Sequence, residues 1–264
     1  MMNIIMMLIL AVAGGVIYTF LNVITRRLVA GVRSREDYDE DVDGTMTEEE
    51  KKASEEAKII ETEYKKIQMK AVWEESKVRF IIVIILGIIL SGLAGFHFGL
   101  SPETFIFAVF YALLVMISLV DIATMEIPPQ LNYIILGLGI ISVFTTPEIT
   151  WLERLIGAVS VSGFLLLIAI IVKGGFGGGD IKLMFAAGAL LGWKGVLTAF
   201  LVGIVIGAIV GVLSIIISKK GFKSHIPLGP SLCVGLVVAS IWQTGLIDWY
   251  WNIIKMSMPN TFGN

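Results

Sequence analysis

The chain has 264 residues, 56% of them apolar and 16% charged, with a formal net charge of −2, a sequence pI of about 5.8 and a mean hydropathy of +0.86. A soluble domain usually carries about 25% charged residues, so this composition excludes a soluble enzyme and, lacking a basic field, a nucleic-acid partner. The single cysteine, Cys233, allows neither an internal disulfide nor a cysteine zinc tetrad.

Apolar stretches run over about 4–24, 80–96, 105–120, 131–145, 155–172, 181–192, 195–217 and 226–247. About 20 apolar residues span a bilayer core of about 30 Å as a helix, and lipid satisfies no free backbone group. The expected fold is therefore an all-α polytopic membrane protein with about eight transmembrane helices and one cytoplasmic polar, partly helical insertion. The expected organisation is a first transmembrane helix within 1–30, an acidic cytoplasmic loop and helix over 31–79, a transmembrane domain over 80–247 and a short C-terminal tail over 248–264. The first stretch lacks a basic n-region, and Arg26 and Arg27 follow it, so it reads as a retained span rather than a cleaved signal peptide.

Residues 31–79 hold 15 of the 22 acids and 10 of the 20 bases. Glu36 to Thr47 is acidic and reads as a flexible loop. From Thr47 a capping box, Thr47-Glu48-Glu49-Glu50, opens a predicted helix in which Glu61 and Lys65 form a favourable i,i+4 pair. Six acids lie within the eight residues Glu36 to Asp43. They read as a solvated linker, or as a lure for basic peptides that screening confines to about 8 Å.

Lysine and arginine set the orientation. With the first terminus outside and eight spans, the basic residues divide seventeen inside to three outside, the three being Arg154, Lys194 and Lys255. That count treats Gly192-Trp193-Lys194-Gly195 as a tight turn between two spans.

Outside 31–79 the acids are Glu103, Glu148, Glu153 and Asp248, in outer loops, and Asp121, Glu126 and Asp180 on the inner side. Asp121 ends the apolar run from Phe105, and Asp180 follows five glycines in Gly174-Gly175-Phe176-Gly177-Gly178-Gly179. An ionisable group costs about 2.5–3.5 kcal/mol at mid-membrane, less near the interface. The plain reading is a pair of solvated helix-end residues, with Asp180 as a helix N-cap. The functional reading starts from the glycines, which admit positive φ and close backbone approach. They suggest a carboxylate held in a wet pocket beside another chain segment. Two carboxylates that meet there share a proton, one serving as general base and the other as general acid toward an amide. A P-loop needs Gly-Lys-Ser/Thr, which Gly179-Asp180-Ile181-Lys182 does not supply.

Gly177-Gly178-Gly179-Asp180-Ile181-Lys182-Leu183 resembles the Gly-x-Gly-Asp-x-Lys-Leu motif of the type IV prepilin peptidases, membrane aspartyl proteases. The following Ala186 to Trp193 is similar to bacterial members. Asp121 stands six residues before Ile127-Pro128, as the family's first aspartate does before its Ile/Leu-Pro pair, and Asn132 fits the polar position downstream. Pro129 stands where the family usually has Asp or Asn. Phe20-Leu21-Asn22-Val23-Ile24 with Arg26 resembles the N-terminal signature, and Ile226-Pro227-Leu228-Gly229-Pro230-Ser231 the C-terminal one.

The resemblance implies an aspartyl endopeptidase in the cell (inner) membrane, its active site toward the cytoplasm. Asp121 and Asp180 are then catalytic, and Gly177, Gly179, Lys182, Ile127 and Pro128 form the supporting loop. Its partners are prepilin or pseudopilin precursors with a short basic leader, besides the bilayer. Many members also methylate the new N-terminus with S-adenosylmethionine and carry two Cys-x-x-Cys pairs in the first loop. Residues 31–79 contain neither cysteine nor histidine, so no metal is expected. Peptide cleavage needs no cofactor, and methylation would need S-adenosylmethionine. Asn22, Arg26 and Glu126 are candidates for substrate or methyl-transfer contacts. Glu126 also reads as a solvated loop residue, and Lys182 as a snorkelling lysine. The alternatives are a proton- or cation-coupled transporter using the two aspartates, a presenilin-like protease and an inactive assembly partner. Composition and spacing set no oligomeric state.

Overall fold

The computed structural model describes residues 10–19, 21, 24–25, 81–99, 101–172, 177–218 and 227–242. Every regular element among them is a helix, as internal backbone pairing in lipid requires. The elements are α1 (Leu10–Thr19) and α2 (Ile81–Phe98), followed by α3 (Pro102–Thr124), α4 (Pro129–Ser142), α5 (Trp151–Ile171), α6 (Gly178–Ser218) and α7 (Gly229–Trp242). The expected insertion over 31–79, the tail over 248–264, the candidates Asn22 and Arg26, and residues 173–176 of the glycine run lie outside the described residues.

Four helical runs, α2, α3, α5 and α6, are long and apolar enough to cross a membrane. Helices α4 and α7, with 14 residues each, rise only about 21 Å. Large apolar side chains face outward, such as Phe144 at 86% exposure and Ile171 at 73%. A soluble protein does not carry such a continuous apolar exterior, so the chain is an integral membrane protein.

Local chemistry sets the helix ends. Pro102 opens α3 and Pro129 opens α4, at first-turn positions where the missing N–H costs no hydrogen bond. Pro129, which departs from the family pattern, is thus accommodated as a helix starter. Helix α5 begins with a full capping box: Thr150 Oγ1 accepts from Glu153 N–H at 3.3 Å, and Glu153 Oε2 accepts from Thr150 N–H at 2.9 Å.

The longest run is folded in two. Gly192 has φ 71° and ψ 178° inside α6, a left-handed φ suited to glycine. Gly179 packs on Ile127, Gly192 on Ile149 and Glu153, and Gly207 on Leu228 and Ser231. Since Gly229 bonds Asp121, the chain runs from the aspartate end to the far end over 178–191 and returns over 193–218. The expected turn at Gly192 is borne out. Gly188 and Gly157 bring the backbones of α6 and α5 into direct contact.

Arg154 requires a correction. Counted from sequence as an outer-loop charge, it lies in α5 and is 4% exposed. Its Nη1 donates to Ser142 Oγ at 2.5 Å and to the carbonyls of Ala189 and Leu190 at 3.2 and 3.0 Å. Its Nη2 donates to the carbonyls of Ser142 and Thr146, both at 3.1 Å, and to Thr146 Oγ1 at 2.5 Å, while Nε donates to Ile149 O at 3.3 Å. A helix leaves its last carbonyls without partners, and the break at Gly192 does the same to the first limb of α6. One guanidinium supplies donors to both helix ends, where the helix dipoles favour a cation.

Candidate active site

Asp121 stands in the last turn of α3, and its main-chain carbonyl accepts from Met125 N–H at 2.8 Å. Met125 ends the helix in the left-handed region, φ 55° and ψ 23°, which a side chain rarely adopts and which glycine usually fills. The sequence gives no sign of this strained turn. Ile127 and Pro128 follow, both buried, and Pro128 caps α4.

Asp180 is not the N-cap. Helix α6 begins at Gly178, so Asp180 is its third residue, with its N–H on Gly177 O at 3.1 Å. Its carboxylate turns back to the backbone of Gly177. The three described glycines differ in function. A Cβ at Gly179 would stand 2.8 Å from Ile127 Cβ, while one at Gly178 would meet nothing within 4 Å. Among the described residues only Gly99 and Gly192 are glycines with positive φ. Of the two properties for which the glycines were singled out, positive φ is not used at Gly177 to Gly179, and close approach is used at Gly179. Asn132 Nδ2 donates to Gly179 O at 3.4 Å and ties α4 to the same turn.

Both aspartates are buried, Asp121 at 5% and Asp180 at 9% exposure. They line one open cavity of about 280 Å³ with Met125, Glu126, Ile127 and Gly177 to Gly179. Liquid water takes about 30 Å³ per molecule, so the space holds several waters or a short peptide segment. A third segment reaches the first aspartate: Gly229, the first residue of α7, donates its N–H to Asp121 Oδ2 at 3.0 Å.

Of the residues singled out from sequence, Asp121, Glu126, Ile127, Gly177, Gly179 and Asp180 come together on the cavity wall. Glu126 is exposed there. Lys182 belongs to the first turns of α6 rather than to a loop, is exposed, and does not line the cavity; Pro128 lies behind the wall. Met125 joins the lining without a sequence signal, and Gly178 comes with the glycine run. The Gly229 contact had one signal, the Pro227-Leu228-Gly229-Pro230 run, but nothing in it pointed to Asp121. Among the described residues no three His, Cys, Asp or Glu side chains group closely enough to hold a metal ion.

A helical bundle with an apolar exterior that buries two carboxylates around an open cavity at one end has the make-up of a membrane aspartyl protease. The type IV leader peptidase family matches residues 108–212, a range that includes both aspartates. The prepilin leader peptidase/N-methyltransferase of Bacillus subtilis (strain 168) is 33% identical over 169 residues, 64% of this chain and 67% of that one. The protein of the same description from Legionella pneumophila is 29% identical over 178 residues, 66% of this chain and 62% of that one. That from Aeromonas salmonicida (strain A449) is 30% identical over 148 residues, 53% of this chain and 50% of that one. The chain thus spans between half and two thirds of these relatives' length. No solved structure matches. The chain belongs to the type IV leader peptidase family. The transporter alternative finds no support in these comparisons.

Proposed function

We propose that the chain is a membrane aspartyl endopeptidase that removes the short basic leader from type IV prepilin-like precursors at the cytoplasmic membrane face. The observation that carries this reading is the pair Asp121 and Asp180, buried on different helices around one open cavity. The family membership gives the substrate class, pilins or pseudopilins, and the seventeen-to-three division of basic residues favours a cytoplasmic position for the aspartate end. In the inner membrane the eight helical segments among the described residues, α1 to α7 with α6 counted as two limbs, then stand as about eight crossings.

A water held between the carboxylates attacks the scissile carbonyl. One carboxylate takes the water proton, and the proton shared by the pair passes to the leaving amine. The pair titrates as a unit. To Glu126, at the cavity wall and exposed, we assign contact with a basic leader residue.

The test combines purified protein with a prepilin bearing a basic leader, and mass spectrometry locates the cut. Asp121→Asn and Asp180→Asn should each abolish cleavage while the protein stays folded in the membrane. A variant that cuts at the wild-type rate removes its aspartate from the mechanism. The same spectra, taken with S-adenosylmethionine present, test N-methylation of the new terminus, which the relatives' description includes. A methyl mass on the mature product supports that second activity.

A further inference from the structure

The two carboxylates of the pair are held by different means. Asp180 is held locally, by the backbone of Gly177 three residues before it. Asp121 is held from a distance: its Oδ2 accepts from the N–H of Gly229, 108 residues further along the chain. We propose that Gly229 is a positioning residue, and that the first turn of α7 sets the direction in which Asp121 faces the cavity. The proposal rests on the peptidase reading above.

Three observations carry it. First, the fit is close on the carboxylate itself. A Cβ at Gly229 would stand 2.5 Å from Asp121 Oδ2, 2.9 Å from Cγ and 3.2 Å from Cβ, so no side chain larger than hydrogen coexists with the present rotamer. Second, two of the neighbouring residues of α7 offer no substitute N–H. Pro230 has no N–H, and that of Leu232 is spent on Leu228 O at 3.1 Å. Third, the donor is anchored. At the other end of α7, Ser240 Oγ and Tyr111 Oη hydrogen-bond at 2.9 Å, so α7 is pinned near both of its ends, antiparallel to the second half of α3. The carbonyl of Asp121 is also taken, by Met125. Its backbone is therefore fixed by α3, and its carboxylate by α7.

The experiment measures kcat and KM on a basic-leader prepilin for the full chain, beside Gly229→Ala, Pro230→Gly and Ser240→Ala. Gly229→Ala displaces the carboxylate by a fraction of an ångström or more, and a misplacement of about 1 Å costs about 10²-fold in rate. A fall of about that size in kcat is expected, with KM within about twofold. Pro230→Gly adds no atom to the cavity and only loosens the first turn of α7; it should lower kcat several-fold, and it decides the matter if Gly229→Ala does not fold. Ser240→Ala weakens α3–α7 docking at the far end without touching the carboxylate, and should lower thermal stability while lowering kcat far less than Gly229→Ala does. Folded Gly229→Ala that turns over at the wild-type kcat overturns the proposal. So does Ser240→Ala losing as much kcat as Gly229→Ala, since general loosening would then explain both. A folded wild-type chain that cuts no prepilin sinks the peptidase reading itself, a result that none of the variant outcomes imitates.

Discussion

A methyl group added at Gly179 would reach Ile127 Cβ at 2.8 Å, whereas one added at Gly178 would meet nothing within 4 Å. The contrast separates two neighbours that look equivalent in the motif. Gly178→Ala should keep cleavage within about twofold of wild type. Gly179→Ala has to push α6 away from Ile127, an overpacking that costs about 1–3 kcal/mol, and should lower both thermal stability and cleavage rate. Unfolding curves and initial rates on one prepilin substrate check both. Met125 offers a test of opposite sign. It adopts φ 55° at the end of α3, where a side chain costs about 1 kcal/mol that glycine does not. Met125→Gly should therefore raise the unfolding temperature, read by a thermal melt in detergent. At this scale the sequence announces chemistry better than conformation. An aspartate in an apolar run is conspicuous because its burial has to be explained, so Asp121 and Asp180 stand out from sequence. Which glycine touches what, and which residue turns left-handed, depends on the partner helix and leaves no local trace.

At the scale of the element, the break at Gly192 was legible because Gly-Trp-Lys-Gly interrupts an apolar run at the length of a short helix. The role of Arg154 was not. In the sequence it follows Glu153 at the start of a predicted helix, as a solvated charge would. Only the fold shows that five carbonyls, from Ser142, Thr146, Ile149, Ala189 and Leu190, converge on its guanidinium. A buried acceptor left without a partner costs about 1–3 kcal/mol. Arg154→Met should therefore destabilise the protein by about 3 kcal/mol or more. Arg154→Lys should restore little, since an ammonium cannot reproduce the planar fork. Melting temperatures of the two variants in the same detergent measure this. A Met variant as stable as wild type would mean that the carbonyls find other partners.

Over the length of the bundle the charged groups of the described residues are sorted by height. Asp121, Glu126, Asp180 and Lys182 gather where α3 ends and α6 begins, while Glu103, Glu148, Glu153 and Lys194 lie where α3 begins and α6 turns. Glu126 and Glu148 are both exposed and sit beyond opposite ends of α4. In membranes, with Cys233→Ala as background, an impermeant maleimide should label Glu126→Cys and Glu148→Cys from opposite sides, and Glu126→Cys only from the cytoplasm. Labelling of both from one side would contradict the orientation read from the lysine and arginine distribution. The helical class and the positions of the long apolar helices were readable from composition and run length, because lipid imposes them on any sequence. Which helix ends meet was not readable, because that is decided between segments far apart in the chain. The bond from Gly229 to Asp121 closes across 108 residues, and this separation has a meaning in time. At about 5–20 residues per second, a growing chain holds both aspartates for several seconds before α7 exists to orient the first. Until α7 is made and docked, the nascent protein lacks the contact that we propose orients Asp121, and it approaches its neighbours at the site of insertion with that carboxylate unheld.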